Sequence, residues 1–244
     1  MNLLVSDYDG TLSTNKYDMK INCEYLNNFI NSGNKFVLSS GRPLISIKRQ
    51  IEMYNIPYSY IASSDGSYLF DKNDNLLLAN HMSKKIIDEI DDLKKLDIYR
   101  EIQYSRPRYN GTTVDNDEIG SIAFVIEKDN ITDEFLYLYN KLKENNSNDY
   151  QFETYGYDKR YFYMVRPKGV NKSVPIRFLE KKLKIPKSKI YTIGDNNNDI
   201  EMIRDYNGFM IGDNEDVEKV ALKKYNSVHE LIKDINKKKV LKRW

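Results

Sequence analysis

Strand-like and helix-like segments alternate through the first 62 residues of the chain. Short apolar runs that are typical of buried strands lie at 3–6, 35–39 and 58–62. A helix is predicted between the first two runs, because Cys23, Leu26 and Ile30 recur at helical spacing. Pro43, which suits the first position of a helix, predicts a second helix before the third run. This order predicts a parallel sheet wound with helices.

Residues 81–165 follow a different order. They begin with a helix predicted over 83–96, and a helix–strand–strand sequence occurs twice, which is typical of an α+β unit with a mostly antiparallel sheet. Afterwards helices and strands alternate again, including a helix predicted over 215–224. We therefore predict an α/β fold, in which residues 1–80 and 166–244 form a Rossmann-like wound parallel sheet around the inserted α+β domain.

The composition excludes several classes of function. The formal net charge is only +2, from 38 basic and 36 acidic residues, so bulk nucleic-acid binding is not expected. No apolar run reaches the ~18 residues that a membrane-spanning helix needs, and no signal peptide is visible. The single cysteine, Cys23, cannot form an intrachain disulfide. We expect a cytoplasmic protein that binds neither nucleic acid nor membrane.

Two carboxylates follow the first predicted strand, in the segment Asp7-Tyr8-Asp9-Gly10. Ligands of wound parallel sheets bind beyond the carboxyl ends of the strands. Carboxylates placed there can bind Mg²⁺, which prefers hard oxygen ligands, and a carboxylate can also attack phosphorus. The alternative is an acidic turn in which Gly10 serves only the backbone.

Phosphate-binding groups are predicted at the ends of two other segments. Ser40 and Gly41 follow the second strand, where a hydroxyl and the N–H groups of a helix N-terminus suit a phosphate oxygen, although a simple helix cap is the alternative. Lys172 opens the helix after the insertion and could balance the charge of carboxylates and a phosphate. A solvated lysine is the alternative there.

A second acidic segment, Gly194-Asp195-Asn196-Asn197-Asn198-Asp199, follows an apolar strand. Asp195 lies just beyond the strand, and Asp199 is near enough to join or support a metal site. An EF-hand calcium loop is excluded, because Ile200 stands at its sixth position and Tyr206 at its twelfth. An N-cap formed by Asp199 is the other alternative.

The four features converge if the sheet is parallel, because each follows a strand or opens the next helix. A phosphoryl-transfer site needs a nucleophile, a metal, a phosphate cradle and a balancing cation. The four segments supply each of these once. Together they predict a phosphoryl-transfer site at one edge of the sheet.

In their order and spacing these segments resemble the motifs of the haloacid dehalogenase-like hydrolases. The resemblance covers essentially the whole chain. It implies that Asp7 is the nucleophile, Asp9 the general acid/base and Asp195 a metal ligand. It also implies that Ser40 binds phosphate and that Lys172 balances charge.

The resemblance completes the expected site and cofactor. We expect Mg²⁺ at Asp7, Asp9, Asp195 and Asp199, with Asn198 in support, and phosphate at Ser40, Gly41 and Lys172. The insertion resembles the cap domain of the Cof-type branch, which closes over the core and reads the leaving group. That branch commonly has Asn-Gly where this chain has Asp65-Gly66.

The substrate is expected to be a small phosphorylated metabolite, a sugar phosphate or a cofactor phosphate. Arg42, Asp65, Arg106 and Arg160 are candidates for substrate binding, and ordinary surface charge is the alternative for the arginines of the insertion. The insertion also carries Arg108 and Tyr109 in the same loop as Arg106.

The expected activity is that of a phosphatase working through an aspartyl phosphate. A phosphomutase or phosphotransferase would use the same nucleophile. A non-hydrolytic signalling module, in which Asp7 only accepts phosphate, and a scaffold that has lost turnover are further alternatives. The sequence does not indicate an oligomeric state.

Overall fold

A computed structural model of the chain describes residues 1–107 and 118–244. These residues divide into two compact units. One contains Met1–Leu78 and Asn171–Trp244, and the other contains Ala79–Val170. The second unit ends later than the predicted residue 165, because its last strand continues through Pro167.

The first unit, which we call the core unit, contains a seven-stranded sheet. Its strands are β1 (Leu3–Asp7), β2 (Lys35–Ser39), β3 (Tyr60–Ser63), β4 (Tyr68–Asp71), β5 (Leu76–Ala79), β10 (Ile190–Gly194) and β11 (Asn207–Met210). They lie in the order β11-β10-β1-β2-β3-β4-β5. The five strands from β11 to β3 are parallel, and β4 is antiparallel to β3. The parallel sheet predicted from the sequence is therefore present.

Helices cover both faces of this sheet. They are α1 (Lys16–Asn31), α2 (Leu44–Tyr54), α6 (Ser173–Leu183), α7 (Ile200–Asp205), α8 (Glu215–Glu218) and α9 (Val228–Asn236). On one face, Leu4 and Leu38 share a core cluster with residues of α1, α2 and α9. On the other face, Val5 and Val37 share a second cluster with residues of α6 and α7. This alternation arises because successive strand residues point to opposite faces.

One predicted helix of the core unit is shorter than its sequence pattern indicates. The helix expected over 215–224 ends at Glu218. The chain after it lies beside the edge strand β11, where the Leu222 N–H donates to the Gly208 carbonyl at 2.8 Å and the Tyr225 N–H to the Met210 carbonyl at 2.9 Å. Pairing with the sheet edge therefore replaces the last helical turns.

The second unit, which we call the inserted unit, has its own sheet and core. Its strands β6 (Tyr99–Ser105), β7 (Ser121–Glu127), β8 (Tyr150–Tyr157) and β9 (Arg160–Pro167) form an antiparallel sheet in the order β6-β7-β9-β8. Its helices are α3 (Lys84–Glu89), α4 (Asp91–Lys94) and α5 (Asp133–Asn146), so the helix predicted over 83–96 is two short helices separated at Ile90. Phe124, Phe135 and Tyr163 lie in its buried core.

Among the helices of residues 1–107 and 118–244, none has both the length and the apolar character needed to cross a membrane.

Candidate active site

The carboxyl ends of three parallel strands carry the predicted chemistry in the core unit. Asp7 is the last residue of β1, Ser40 follows β2, and Asp195 follows β10. Because β1 lies between β2 and β10, Asp7 lies between the other two loops. The topology therefore places these loops side by side, as the parallel order requires.

Lys172 joins two of the carboxylates. Its Nζ donates to Asp7 Oδ1 at 2.5 Å and to Asp199 Oδ1 at 2.7 Å, and its side chain is 0% exposed. Burial alone would lower the pKa of Lys172, but the carboxylates of Asp199 and Asp7 outweigh burial and raise that pKa above its ordinary value. Lys172 is therefore a buried, charged ammonium rather than a solvated side chain.

Asp7, Asp195 and Asp199 form a compact group of carboxylates. One oxygen from each lies within 4.8 Å of the others. Burial raises the pKa of Asp7, and the Lys172 ammonium acts in the opposite direction. Burial also raises the pKa of Asp195. Carboxylates crowded in a buried place favour a bound cation, and three hard oxygen donors fit Mg²⁺.

The three carboxylates differ in how many of their oxygens already accept hydrogen bonds from the protein. Asp199 accepts the Lys172 ammonium through Oδ1 and the N–H groups of Asp195 and Asn196, at 3.1 Å each, through Oδ2. Both of its oxygens therefore have protein partners. Asp199 therefore holds the loop after β10 and Lys172, and its predicted role as a cation ligand stays a prediction.

Thr11 is a member of the site that the sequence analysis did not identify. Its Oγ1 donates to Asp195 Oδ1 at 2.5 Å, and its side chain is fully buried. Gly10, just before it, has φ +79°, and a Cβ built there would overlap the Asp195 carboxylate. The available signal was the position of Thr11 in the same turn as Asp7 and Asp9.

Asp9 is not a member of the carboxylate group. Its carboxylate accepts two hydrogen bonds from Arg42, from Nε at 2.7 Å and from Nη2 at 2.6 Å. The Arg42 guanidinium also lies 5.3 Å from the centre of the Tyr8 ring, and its hydrogen bond to Asp9 raises the pKa of Arg42. Asp9 and Asp7 therefore have different partners, because Asp9 pairs with the Arg42 guanidinium and Asp7 with the Lys172 ammonium.

The predicted phosphate loop lies beside Asp65. Ser40 Oγ accepts the Arg42 N–H at 3.1 Å, and Ser40 is 1% exposed. A Cβ built on Gly41 would lie 3.1 Å from each carboxylate oxygen of Asp65. The Asn198 amide donates to Asp65 Oδ1 at 2.9 Å. Ser40, Gly41, Asp65 and Asn198 thus form one continuous group of contacts.

The other two predicted substrate-binding residues belong to the inserted unit. The Arg106 guanidinium lies 4.7 Å from the centre of the Tyr104 ring. Arg160 is half-buried at the start of β9, where it pairs in register with Glu127. Arg108 and Tyr109 lie outside the described residues. The roles of Arg106 and Arg160 stay predictions.

Known proteins resemble this chain in sequence and in fold. The sequence pattern of the haloacid dehalogenase-like hydrolase family matches residues 4–118 and 94–230 of the chain. A protein of Buchnera aphidicola that is named as a candidate phosphatase is 25% identical over 125 residues, which cover 51% of this chain and 46% of that protein. The chain therefore matches about half the length of this curated relative.

Solved structures share the fold. A haloacid dehalogenase-like hydrolase from Bacteroides thetaiotaomicron has a TM-score of 0.76 at 18% identity, over 96% of this chain and 99% of the other. A sugar phosphatase of subclass IIB of the same superfamily has a TM-score of 0.71 at 16% identity, over 97% of this chain and 99% of the other. At these identities, both likenesses concern the fold alone.

Proposed function

The chain belongs to the haloacid dehalogenase-like hydrolases, and we propose that it is a magnesium-dependent phosphatase that hydrolyses small phosphorylated metabolites through an aspartyl phosphate on Asp7. One observation carries the proposal. Lys172 is fully buried between Asp7 and Asp199, and Asp195 lies in the same carboxylate group. The name of the Buchnera relative and that of the subclass IIB sugar phosphatase support the same activity.

Asp7 suits the role of nucleophile. It ends the buried strand β1, which pairs with β10 up to Ser6 and with β2 up to Asp7 itself, so its backbone is held in place. Lys172 holds one of its oxygens by a charge-assisted hydrogen bond, which leaves the other to attack phosphorus. The same ammonium favours the ionised form of Asp7, which the attack requires.

Asp7 and Asp195 are the residues that would hold Mg²⁺. Bound Mg²⁺ supplies positive charge that offsets the carboxylates and polarises the phosphoryl oxygens. Thr11 orients Asp195 by its hydrogen bond, and Gly10 leaves the space that the Asp195 carboxylate occupies. Ser40 and Gly41 would bind the remaining phosphoryl oxygens.

Asp9 suits proton transfer because its carboxylate is not part of the carboxylate group formed by Asp7, Asp195 and Asp199. In the first step an Asp7 oxygen bonds to phosphorus, the bond to the ester oxygen breaks, and Asp9 gives its proton to the leaving alcohol. In the second step Asp9 takes a proton from water, the water oxygen bonds to phosphorus, and the bond to Asp7 breaks. Phosphate and the original Asp7 carboxylate are the products.

The test is release of phosphate from an aryl phosphate ester with and without Mg²⁺. We expect steady turnover with Mg²⁺ and loss of turnover in excess chelator, restored by added Mg²⁺. Undiminished turnover in chelator contradicts the cation assignment, and absence of turnover on any phosphate monoester contradicts the phosphatase. The sugar-phosphate or cofactor-phosphate substrate and the cytoplasmic location stay predictions.

A further inference from the structure

Among the described residues near the site, those of the turn after β3 have the most unusual backbone dihedral angles. Ser64, Asp65 and Gly66 all have positive φ, at 54°, 50° and 92°. Residues other than glycine seldom adopt this region, and each such residue carries a conformational cost. Asparagine and aspartate tolerate the region better than most side chains. Strain of this kind persists only where surrounding contacts hold it, so those contacts indicate what the turn is for.

The contacts of the turn reach every loop that carries the phosphate-binding residues. The Ser64 and Asp65 N–H groups donate to the carbonyls of Arg42, at 3.0 Å, and Ser40, at 3.1 Å. A Cβ on Gly66 would overlap the carbonyl of Asn171, the residue before Lys172. The Asp65 carboxylate accepts the Asn198 amide and lies against Gly41. The turn therefore fixes Asp65 beside the phosphate loop.

Asp65 also changes the charge of the site. It contributes to the raised pKa of Lys172, so its field reaches the ammonium that binds Asp7. Among the described residues of the core unit around the phosphate site, carboxylates outnumber cations. The carboxylates are Asp7, Asp9, Asp65, Asp195 and Asp199, and the cations are Lys172 and Arg42. With Mg²⁺ bound, these fixed charges sum to zero while Asp9 carries the proton that it gives in the first step, and to minus one when Asp9 is ionised before the second step.

We infer that Asp65 is a specificity-determining residue for the proposed phosphatase. Its carboxylate selects phosphate esters of neutral or cationic hydroxylated alcohols and disfavours esters that carry a second acidic group near the phosphate. A second anion two or three carbons from the phosphate lies within the ~8 Å over which charges act in physiological salt. Asp65 can accept a hydrogen bond from a hydroxyl or ammonium in direct contact with it, whereas it repels a carboxylate or second phosphate over the longer range. This inference rests on the proposed function and names its substrate class.

Asp65→Asn is the decisive variant, because asparagine keeps an oxygen for the Asn198 amide and tolerates positive φ. The probes are glycerol phosphate and phosphoglycerate, which differ only in an alcohol replaced by a carboxylate. Both are measured as competitive inhibitors of aryl phosphate hydrolysis, so neither has to be a substrate. We expect the wild type to prefer glycerol phosphate by roughly tenfold, and Asp65→Asn to reduce that preference by about the same factor.

Two controls separate charge from positioning. Asn198→Ala removes the hydrogen bond to Asp65 but keeps the carboxylate, so the preference should persist. Glu24→Gln makes the same charge change at an exposed position of α1 and should change nothing. An unchanged preference in Asp65→Asn overturns the inference. An equal change in Asn198→Ala also overturns it, because Asp65 would then act by holding the loop.

Two further measurements keep the inference testable. If Asp65→Asn does not fold, the preference of the wild type for glycerol phosphate over phosphoglycerate is measured at rising salt concentration. A preference that does not shrink as the salt concentration rises contradicts an electrostatic cause. If the wild type hydrolyses no phosphate ester, the proposed function fails by itself. The shift of the thermal midpoint by each probe, with Mg²⁺ present, then tests the Asp65 preference separately.

Discussion

Charged residues are connected very differently in the two sheets of this protein. In the core unit, Lys172 binds Asp7 across 165 positions of sequence, and Thr11 binds Asp195 across 184. In the inserted unit, Arg166 binds Glu153, 13 positions away on the adjacent strand, at 2.7 Å. Arg100 similarly binds Glu127, 27 positions away, on another adjacent pair of strands.

This difference follows from strand direction. Parallel strands end at one edge of the sheet, so loops distant in sequence bring their polar residues together there. Antiparallel strands end alternately at opposite edges, so polar residues mostly meet their neighbours across the ladder. The core unit therefore brings distant polar residues together at one place, while the inserted unit pairs its charges locally across neighbouring strands. We expect substitutions of Asp7, Asp9 and Asp195 in the core unit to change the reaction, and substitutions in the inserted unit, like that of Asp65 in the core unit, to change its selectivity.

The largest expected effect separates Asp7 from Asp9. Asp7→Asn removes the attacking oxygen anion and should lower turnover by about 10³-fold or more, with no phosphate bound to the protein. Asp9→Asn keeps the nucleophile and removes the base for the second step. It should be slow but accumulate covalent phosphate from an activated ester, which needs little protonation of its leaving group. Rapid quenching followed by intact-protein mass measurement distinguishes the two.

The opposite pattern of labelling would identify a different nucleophile. Phosphate found on Asp7→Asn would place the attack at another residue and break the proposed division of work between Asp7 and Asp9. Arg42→Lys serves as a matched control, because it keeps a cation beside Asp9 and should permit phosphate to turn over on Asp7. Each variant requires an unchanged thermal midpoint, so that loss of turnover reports chemistry rather than unfolding.

The core site was predictable to the extent that it depends on parallel strand ends. The sequence placed Asp7, Ser40 and Asp195 after strands, and the register of β1 with β2 and β10 brings their loops side by side. The pairing of Asp9 with Arg42 and the contact of Thr11 with Asp195 were not predicted. Those contacts depend on side-chain directions within one turn, and spacing in sequence does not determine these directions.

Helix length in the core unit was predictable only where no other partner competed. The segment 215–224 has residues that suit a helix, yet β11 is the edge strand of the sheet and its Gly208 carbonyl accepts the Leu222 N–H. Pairing with a sheet edge satisfies those backbone groups as well as a helix does. The sequence of this segment does not indicate that sheet pairing will replace the helix, because the pairing partner is β11, at residues 207–210, and its position at the edge of the sheet depends on the whole fold.

A smaller effect is expected from loosening the cation site without removing a carboxylate. Thr11→Val keeps the shape of a buried side chain but removes the donor to Asp195 Oδ1. We expect the Mg²⁺ concentration for half-maximal rate to rise about tenfold, with a smaller change in the maximal rate. Asp195→Asn should raise the same concentration further. If Thr11→Val and the wild type need the same Mg²⁺ concentration for half-maximal rate, Thr11 does not orient a cation ligand.

The inserted unit should respond in selectivity rather than in chemistry. Arg106→Ala and Arg160→Ala should lower the rate on a large phosphorylated metabolite several-fold more than on a small aryl phosphate, because both residues lie outside the core unit. A screen of phosphorylated metabolites supplies the large substrate. Lys85→Ala, an exposed change in the same unit, is the control. Equal losses of rate on both substrates would show that these two residues of the inserted unit do not act on selectivity.

The smallest expected effect concerns stability and uses the two histidines, one in each unit. His229 lies in the first turn of α9 and contacts α1, where its Nδ1 is 3.2 Å from Asn22 Oδ1 and its ring centre is 5.5 Å from that of Tyr25. Burial, with Lys233 nearby, lowers the pKa of His229 below its ordinary value of 6.5. His81 is exposed in the inserted unit.

A lowered histidine pKa means that the unfolded chain takes up the proton more readily than the folded chain. The contribution of His229 to stability is therefore fully present above about pH 6.5 and declines as the pH falls through that value toward the folded pKa. Urea midpoints measured from pH 8 to pH 5 should fall more steeply for the wild type than for His229→Gln. His81→Gln should keep the wild-type slope. A slope that His229→Gln leaves unchanged would place the acid sensitivity elsewhere, in the carboxylates of the active site or in the inserted unit.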